Sequence, residues 1–273
     1  MTSRRSFLSH AAAVPALSLA ASSLQAAASQ HGFVLGVASY SLRKFPREKA
    51  IEMIKACKAP YVSVKSFHLD YKATPEEFAL AKKQFKAAGI TVLSGGNIDL
   101  KGDEAELRAM FEYAKAAGMA TIVCAPSLKT VGAVEKLVKE FNIKAAIHNH
   151  GPEDKHFPTP QSVLEAVKGM DPRMGLCIDI GHTSRTGADI IEWVAKAGPR
   201  LFDMHFKDLA DPMNKDSQVA VGEGKLPIKG IFAQLKKQGY KAGCMLEYEI
   251  KADDPLPGMI KSFDYMRSIL ATL

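Results

Sequence analysis

The sequence predicts a single-domain α/β protein, a (β/α)₈ TIM barrel, behind an N-terminal leader. Three observations carry this. From Phe33 onward, eight short apolar runs alternate with longer amphipathic stretches. Setting aside the first 28 residues leaves 245, about 31 per unit and close to the roughly 250 of a typical barrel. No Gly-x-Gly-x-x-Gly follows the first run, which weakens the competing open, doubly wound sheet. Strands that are apolar throughout and joined by helices mean a parallel sheet covered on both faces.

The leader comes first. Thr2-Ser3-Arg4-Arg5-Ser6-Phe7-Leu8 precedes a mildly apolar, alanine-rich run, and Ala26-Ala27-Ala28 precedes Ser29. A basic start, a short apolar run and a small-residue cleavage site are the parts of a secretory signal, so residues 1–28 are expected to be removed and 29–273 to form the domain. The Arg-Arg-x-Phe-Leu string resembles a bacterial twin-arginine signal, with an ordinary secretory signal as the competing reading. The expected location is periplasmic or secreted, with the twin-arginine export machinery as a partner. The apolar run is shorter than the roughly 20 residues that span a bilayer, so no stable membrane insertion is expected.

The expected strands cover 33–38, 61–65, 90–94, 120–124, 144–148, 175–179, 201–205 and 242–247. Each is rich in Val, Ile, Leu, Met or Cys and is bounded by Gly, Pro or Asn. Helical patterns lie between them, for example over 46–57, 75–88 and 103–117. Thr74-Pro75 and Thr159-Pro160 read as N-caps followed by proline at the first helical position, and Gly89, Gly118 and Gly198 as C-terminal stops. One long excursion, 208–225, separates the seventh strand from its helix, where a barrel carries an active-site loop.

Composition adds bounds. With 47% hydrophobic and 24% charged residues the chain is an ordinary globular one, neither collagen-like nor disordered. Net charge is +7, falling to +5 without Arg4 and Arg5, which by itself identifies no partner. Cys57, Cys124, Cys177 and Cys244 lie mostly in strand interiors, so buried free thiols are expected in preference to disulfides.

Chemistry in a barrel sits at the C-terminal ends of the strands. There the chain places His148-Asn149-His150 after the fifth strand and Asp179-Ile180-Gly181-His182 after the sixth. His205-Phe206-Lys207-Asp208 follows the seventh strand and Leu246-Glu247-Tyr248-Glu249 the eighth. A lone strand-end histidine is more often a hydrogen-bonding residue than a ligand, and a lone carboxylate there is often a helix cap. Four consecutive strands ending at one level are better explained by a metal site. His148, Asp179, His205 and Glu247 are therefore the expected ligands of one divalent ion: Mn, Co, Zn or Fe.

The set Asp-x-Gly-His, His-x-Lys-Asp and Leu-Glu, with Val221-Gly222-Glu223-Gly224-Lys225 before the next helix, resembles the xylose isomerase-like TIM barrel superfamily. That superfamily includes sugar isomerases, ketose 3-epimerases, inosose dehydratases and endonuclease IV. The resemblance implies a metal held by Glu, Asp, His and Glu from the last four strands; Asp179, His205 and Glu247 match, while His148 stands where the family has Glu. It further implies an isomerase or epimerase that removes a proton beside a metal-polarised carbonyl of a sugar, and the expected export makes that substrate a non-phosphorylated sugar or glycoside. Loss of one carboxylate base keeps a lyase or hydratase acting on a keto-sugar, such as a 3-keto-glycoside, as the alternative. A non-catalytic carbohydrate-binding barrel is the second alternative. Nucleic acid is not expected as a partner, because most of the nine ligands of endonuclease IV are missing. Catalytic candidates are Glu247, His182 and His150. Substrate-binding candidates are Lys65, His68, Lys207 and Glu223, although His68, like His31 and His156, reads first as a solvated loop residue. Asp208 and Asn149 are expected to orient the ligands from behind.

Overall fold

The computed structural model describes residues 32–273, so the leader, with its arginine pair and cleavage site, lies outside the described residues. The barrel strands are β1 (Val34–Ala38), β2 (Tyr61–Val64), β3 (Thr91–Leu100), β4 (Thr121–Pro126), β5 (Lys144–His148), β6 (Met174–Asp179), β7 (Leu201–Phe206) and β8 (Gly243–Leu246). All neighbours are parallel, and β1 pairs with β8 to close the barrel. Between them run α1 (Arg47–Ala56), α2 (Pro75–Ala87), α3 (Glu104–Ala117), α4 (Val131–Phe141), α5 (Pro160–Ala166), α6 (Ile180–Arg185), α7 (Ile190–Ala197) and α8 (Ile228–Lys237), with α9 (Leu256–Leu270) last. Each expected strand is present; β3 continues to Leu100, beyond the expected 94.

Local chemistry explains the helix boundaries. Thr74 and Asp103 each form a capping box, with Glu77 and Glu106, and Thr159 forms one with Ser162. These side chains satisfy amide groups that the first helical turn leaves without partners. Gly118 ends α3 in the left-handed conformation, which glycine adopts without steric cost.

Strand residues alternate between the barrel interior and the layer under the helices. On β7, Phe206 faces outward and stacks on Phe232 of α8, with ring centroids 4.9 Å apart; Phe232 stacks in turn on Phe33 at 5.8 Å. His205 and Lys207, on either side of Phe206, face inward. The four cysteines are all free and buried. Among the described residues no helix is long and apolar enough to cross a membrane.

The 208–225 excursion is pinned at its base. Asp208 and Leu209 pair antiparallel with Val219 and Gln218. The Asp208 carboxylate accepts hydrogen bonds from the backbone N–H groups of Leu209, Gly222, Gly224 and Leu226, at 2.9–3.1 Å. Gly224 is required here: a Cβ at this position would lie 2.1 Å from Asp208 Oδ1. Asp208, which the sequence reading expected to orient a metal ligand, instead holds the loop that follows β7.

Candidate metal centre

Register brings the expected ligands together. On the β6–β7 ladder Asp179 lies opposite His205, and this depends on a shift in β7: Leu176 pairs with Leu201 but Cys177 with Asp203, so Phe202 is an extra residue. Such a bulge re-aims the side chains beyond it. Glu247 follows directly on β8, its N–H donating to the Phe206 carbonyl at 2.8 Å.

The result is a compact, buried donor set. One ligand atom from each of His148, Asp179, His205 and Glu247 lies within 4.8 Å of the others. His148 Nε2 is 3.0 Å from His205 Nδ1 and 3.6 Å from Asp179 Oδ2, while His205 Nδ1 is 3.2 Å from Glu247 Oε2. Two nitrogens and two oxygens suit a borderline divalent ion such as zinc, cobalt, iron or manganese. Burial holds the His148 imidazole well below its ordinary pKa, which leaves it neutral and able to ligate. Burial alone would raise both carboxyls. For Asp179 the opposing influence of His182, Lys207 and His148 wins, and for Glu247 that of His205 and Lys207, so both are held well below the usual carboxylate range. Asp179 Oδ2 is buried without a hydrogen bond. The Lys207 ammonium lies 3.0 Å away without forming one, so a metal ion coordinated there would complete this oxygen, and the residues present fit a divalent ion.

Neighbours hold this set in place. The Asn149 amide oxygen accepts from Asp179 N–H at 3.1 Å, and its Nδ2 donates to Thr183 Oγ1 at 3.1 Å. Asp179 Oδ1 caps α6 by accepting from His182 N–H at 2.7 Å. Asn149 therefore ties the end of β6 to α6 through the Asp179 backbone and Thr183.

A cavity of about 1190 Å³ opens at this end of the barrel, and His150, His182, Lys65, Asn97, Lys207 and Glu249 are among its lining residues. Arg185 Nη2 lies 2.7 Å from His182 Nδ1. Arginine can only donate, so Nδ1 accepts and the proton resides on Nε2. Burial lowers the pKa of His182 to about 4, so it is a neutral hydrogen-bond donor. His150 Nε2 meets the Asn97 amide at 2.7 Å, with Asp154 Oδ2 3.3 Å from its other nitrogen.

The substrate-binding candidates divide. Lys65 and Lys207 line the cavity. The Lys65 ammonium donates to the Asn97 carbonyl. Lys207 Nζ sits 3.0 Å from Asp179 Oδ2, 2.9 Å from Glu247 Oε2 and 2.5 Å from Glu249 Oε2. Glu249, to which the sequence reading gave no role, is the additional site residue; burial raises its carboxyl and Lys207 acts against that. The only signal for it was its position two residues beyond Glu247. His68 and Glu223 are corrections. His68 is buried away from the mouth, its nitrogens engaged by Ser39 Oγ at 3.0 Å and the Phe45 carbonyl at 3.2 Å. Glu223 is exposed and pairs with Lys261.

Among curated proteins none matches this sequence. Several solved structures share its fold. An uncharacterised protein from Parabacteroides distasonis ATCC 8503 is 25% identical, with a TM-score of 0.69, over 87% of this chain and 99% of that one. A D-psicose 3-epimerase solved in the presence of D-fructose is 16% identical, with a TM-score of 0.68 over 88% of this chain and 97% of its own. The IolI protein, solved with a bound zinc atom, is 17% identical, with a TM-score of 0.71 over 86% and 98%. The family model for the xylose isomerase-like TIM barrel matches residues 49–269. The chain belongs to the xylose isomerase-like TIM barrel family.

Proposed function

We propose that the protein is a divalent-metal-dependent enzyme that removes a proton beside the carbonyl of a non-phosphorylated sugar. The convergence of His148, Asp179, His205 and Glu247 in one buried group carries this reading. The bound ion supplies Lewis-acid polarisation of the carbonyl, which acidifies the adjacent C–H. Glu247, held ionised, accepts that proton on its carboxylate. The His182 Nε2–H, fixed in that tautomer by Arg185, donates to oxygen as negative charge develops on it. Return of the proton from Glu247 to the former carbonyl carbon, with the hydroxyl proton of the carbon that lost it passing to the other oxygen by way of His182 Nε2, completes an isomerisation; epimerisation needs a second proton donor on the opposite face of the original carbon. The similarity in fold to a D-psicose 3-epimerase supports this branch.

One observation favours a second branch. An imidazole, His148, ends β5 where the family resemblance implies a carboxylate, so that position offers no second carboxylate for exchange from the other face. After proton removal, expulsion of a group on the next carbon gives elimination, as in a lyase acting on a keto-glycoside. Incubation of metal-loaded protein with free sugars, glycosides and their 3-keto derivatives in deuterated water separates the two. Deuterium in an intact sugar identifies the isomerase or epimerase branch, and a released aglycone the lyase branch. Neither product, from protein that binds sugar yet holds no metal, overturns the enzyme reading in favour of a binding barrel.

The non-phosphorylated substrate follows from the proposed export, which rests on Arg4-Arg5 and the cleavage site that follows. Arg4→Lys with Arg5→Lys is expected to retain the precursor in the cytoplasm; normal export of that variant overturns the twin-arginine reading.

A further inference from the structure

Two of the three carboxylate oxygens that hold Lys207 Nζ are the oxygens that face the imidazoles of the candidate metal centre. Asp179 Oδ2 is 3.6 Å from His148 Nε2 and 3.0 Å from Lys207 Nζ. Glu247 Oε2 is 3.2 Å from His205 Nδ1 and 2.9 Å from Lys207 Nζ. An ammonium group and a metal ion therefore contend for the same atoms. We infer that Lys207 is a resident cation of this site, competing with the divalent ion for Asp179 and Glu247, and that Glu249 sets the balance by drawing the ammonium away from them. The inference rests on the metal-centre reading and adds to it a control on metal affinity.

Three features support this role. First, the Lys207 side chain is 4% exposed; its ammonium donates to Glu247 and Glu249, and Asp179 Oδ2 lies 3.0 Å away as an ion-pair partner. Burying such a charge is tolerable only with partners of this kind. Second, the stem is fixed while the head has a choice. A Cβ on Gly181 would lie 2.7 Å from Lys207 Cδ, so the absence of a side chain there makes room for the stem. Glu249 is 39% exposed at the cavity edge, a position where the ammonium stays paired after giving up the two inner oxygens. Third, the charges balance only when Glu249 is counted. Imidazoles ligate a metal in their neutral form, so in the metal-bound site Asp179, Glu247 and Lys207 leave one negative charge; Glu249 brings this to two, which a divalent ion neutralises.

The experiment is a zinc-binding titration by competition with a chromophoric chelator, on wild type, Lys207→Met, Glu249→Gln and the double variant. Lys207→Met is expected to lower the dissociation constant at least about tenfold, since a unit charge a few ångströms from the ion is removed. Lys207→Gln serves the same purpose if the methionine variant fails to fold without metal. Glu249→Gln is expected to raise the dissociation constant by about tenfold in the wild-type background, and to lose most of that effect when Lys207 is also replaced. Unchanged or weaker binding in both Lys207 variants overturns the inference. So does a Glu249→Gln effect of equal size in both backgrounds, which would mean that Glu249 acts on the ion directly. Absence of zinc binding in the wild type instead removes the metal-centre reading on which the inference stands.

Discussion

Asp179→Ala is expected to give a folded barrel that retains no divalent ion and has lost nearly all turnover. Loss of a residue behind a ligand costs roughly 10–100-fold in affinity or activity, and loss of a ligand itself exceeds that. The fold survives because the change removes no packed apolar group. Lys207 keeps Glu247 and Glu249 as partners, so its charge is not stranded. What the fold does lose is the α6 cap, since Asp179 Oδ1 accepts from His182 N–H; such a cap is worth about 1 kcal/mol. Asp179→Asn separates the two effects, because its amide oxygen can still cap the helix while the anionic ligand is gone. Metal content and kcat/KM of the two variants, with melting curves alongside, make the comparison. A metal-free Asp179→Ala protein with undiminished turnover would overturn the metalloenzyme reading.

The second large effect concerns stability. Phe232→Ala is expected to destabilise the barrel by about 3–5 kcal/mol, the usual cost of truncating a buried aromatic ring. For a domain of this size that lowers the melting temperature on the order of 10 °C. Phe232 is fully buried and stacks on both Phe33 and Phe206, so its removal opens a space between α8, β1 and β7 that neither rigid ring can fill. Leu128, 57% exposed, is the control: its replacement by alanine is expected to stay within about 0.5 kcal/mol. Thermal unfolding of the two variants checks the contrast. A shift for Phe232→Ala as small as that of Leu128→Ala would show that the aromatic stack is not a core element.

Most of the architecture was legible because parallel strands buried on both faces appear as unbroken apolar runs, and eight of them divide the chain evenly. The four candidate ligands could be read as one group because each ends such a run. Register could not be read. The extra residue at Phe202, which sets His205 beside Asp179, carries no local signal, since Leu201-Phe202-Asp203 fits an uninterrupted strand equally well. Loop side chains were less legible still, because their directions follow no period. His68 turns to Ser39 and Phe45, 29 and 23 residues away. Glu223 turns outward to Lys261, 38 residues on. The strand ends alone do not reveal that Lys207 pairs with the ligand carboxylates and Glu249, because an inward-facing lysine is indistinguishable in sequence from one that reaches for substrate.

The placement of the ligands has a consequence for how such a protein can diversify. His148, Asp179, His205 and Glu247 all come from β5–β8, strands that are neighbours in space and consecutive in the chain. Lys65 and Asn97 reach the cavity from the other half of the barrel. The donor atoms thus come from one half of the barrel, while the cavity is lined by both, with His150, His182, Lys207 and Glu249 from the second half. Changes in the loops after β1–β4 can reshape what the cavity admits without altering the donor atoms. Changes at the ends of β5–β8 reach the donor atoms themselves, so the two halves differ in how freely their cavity-lining residues can vary.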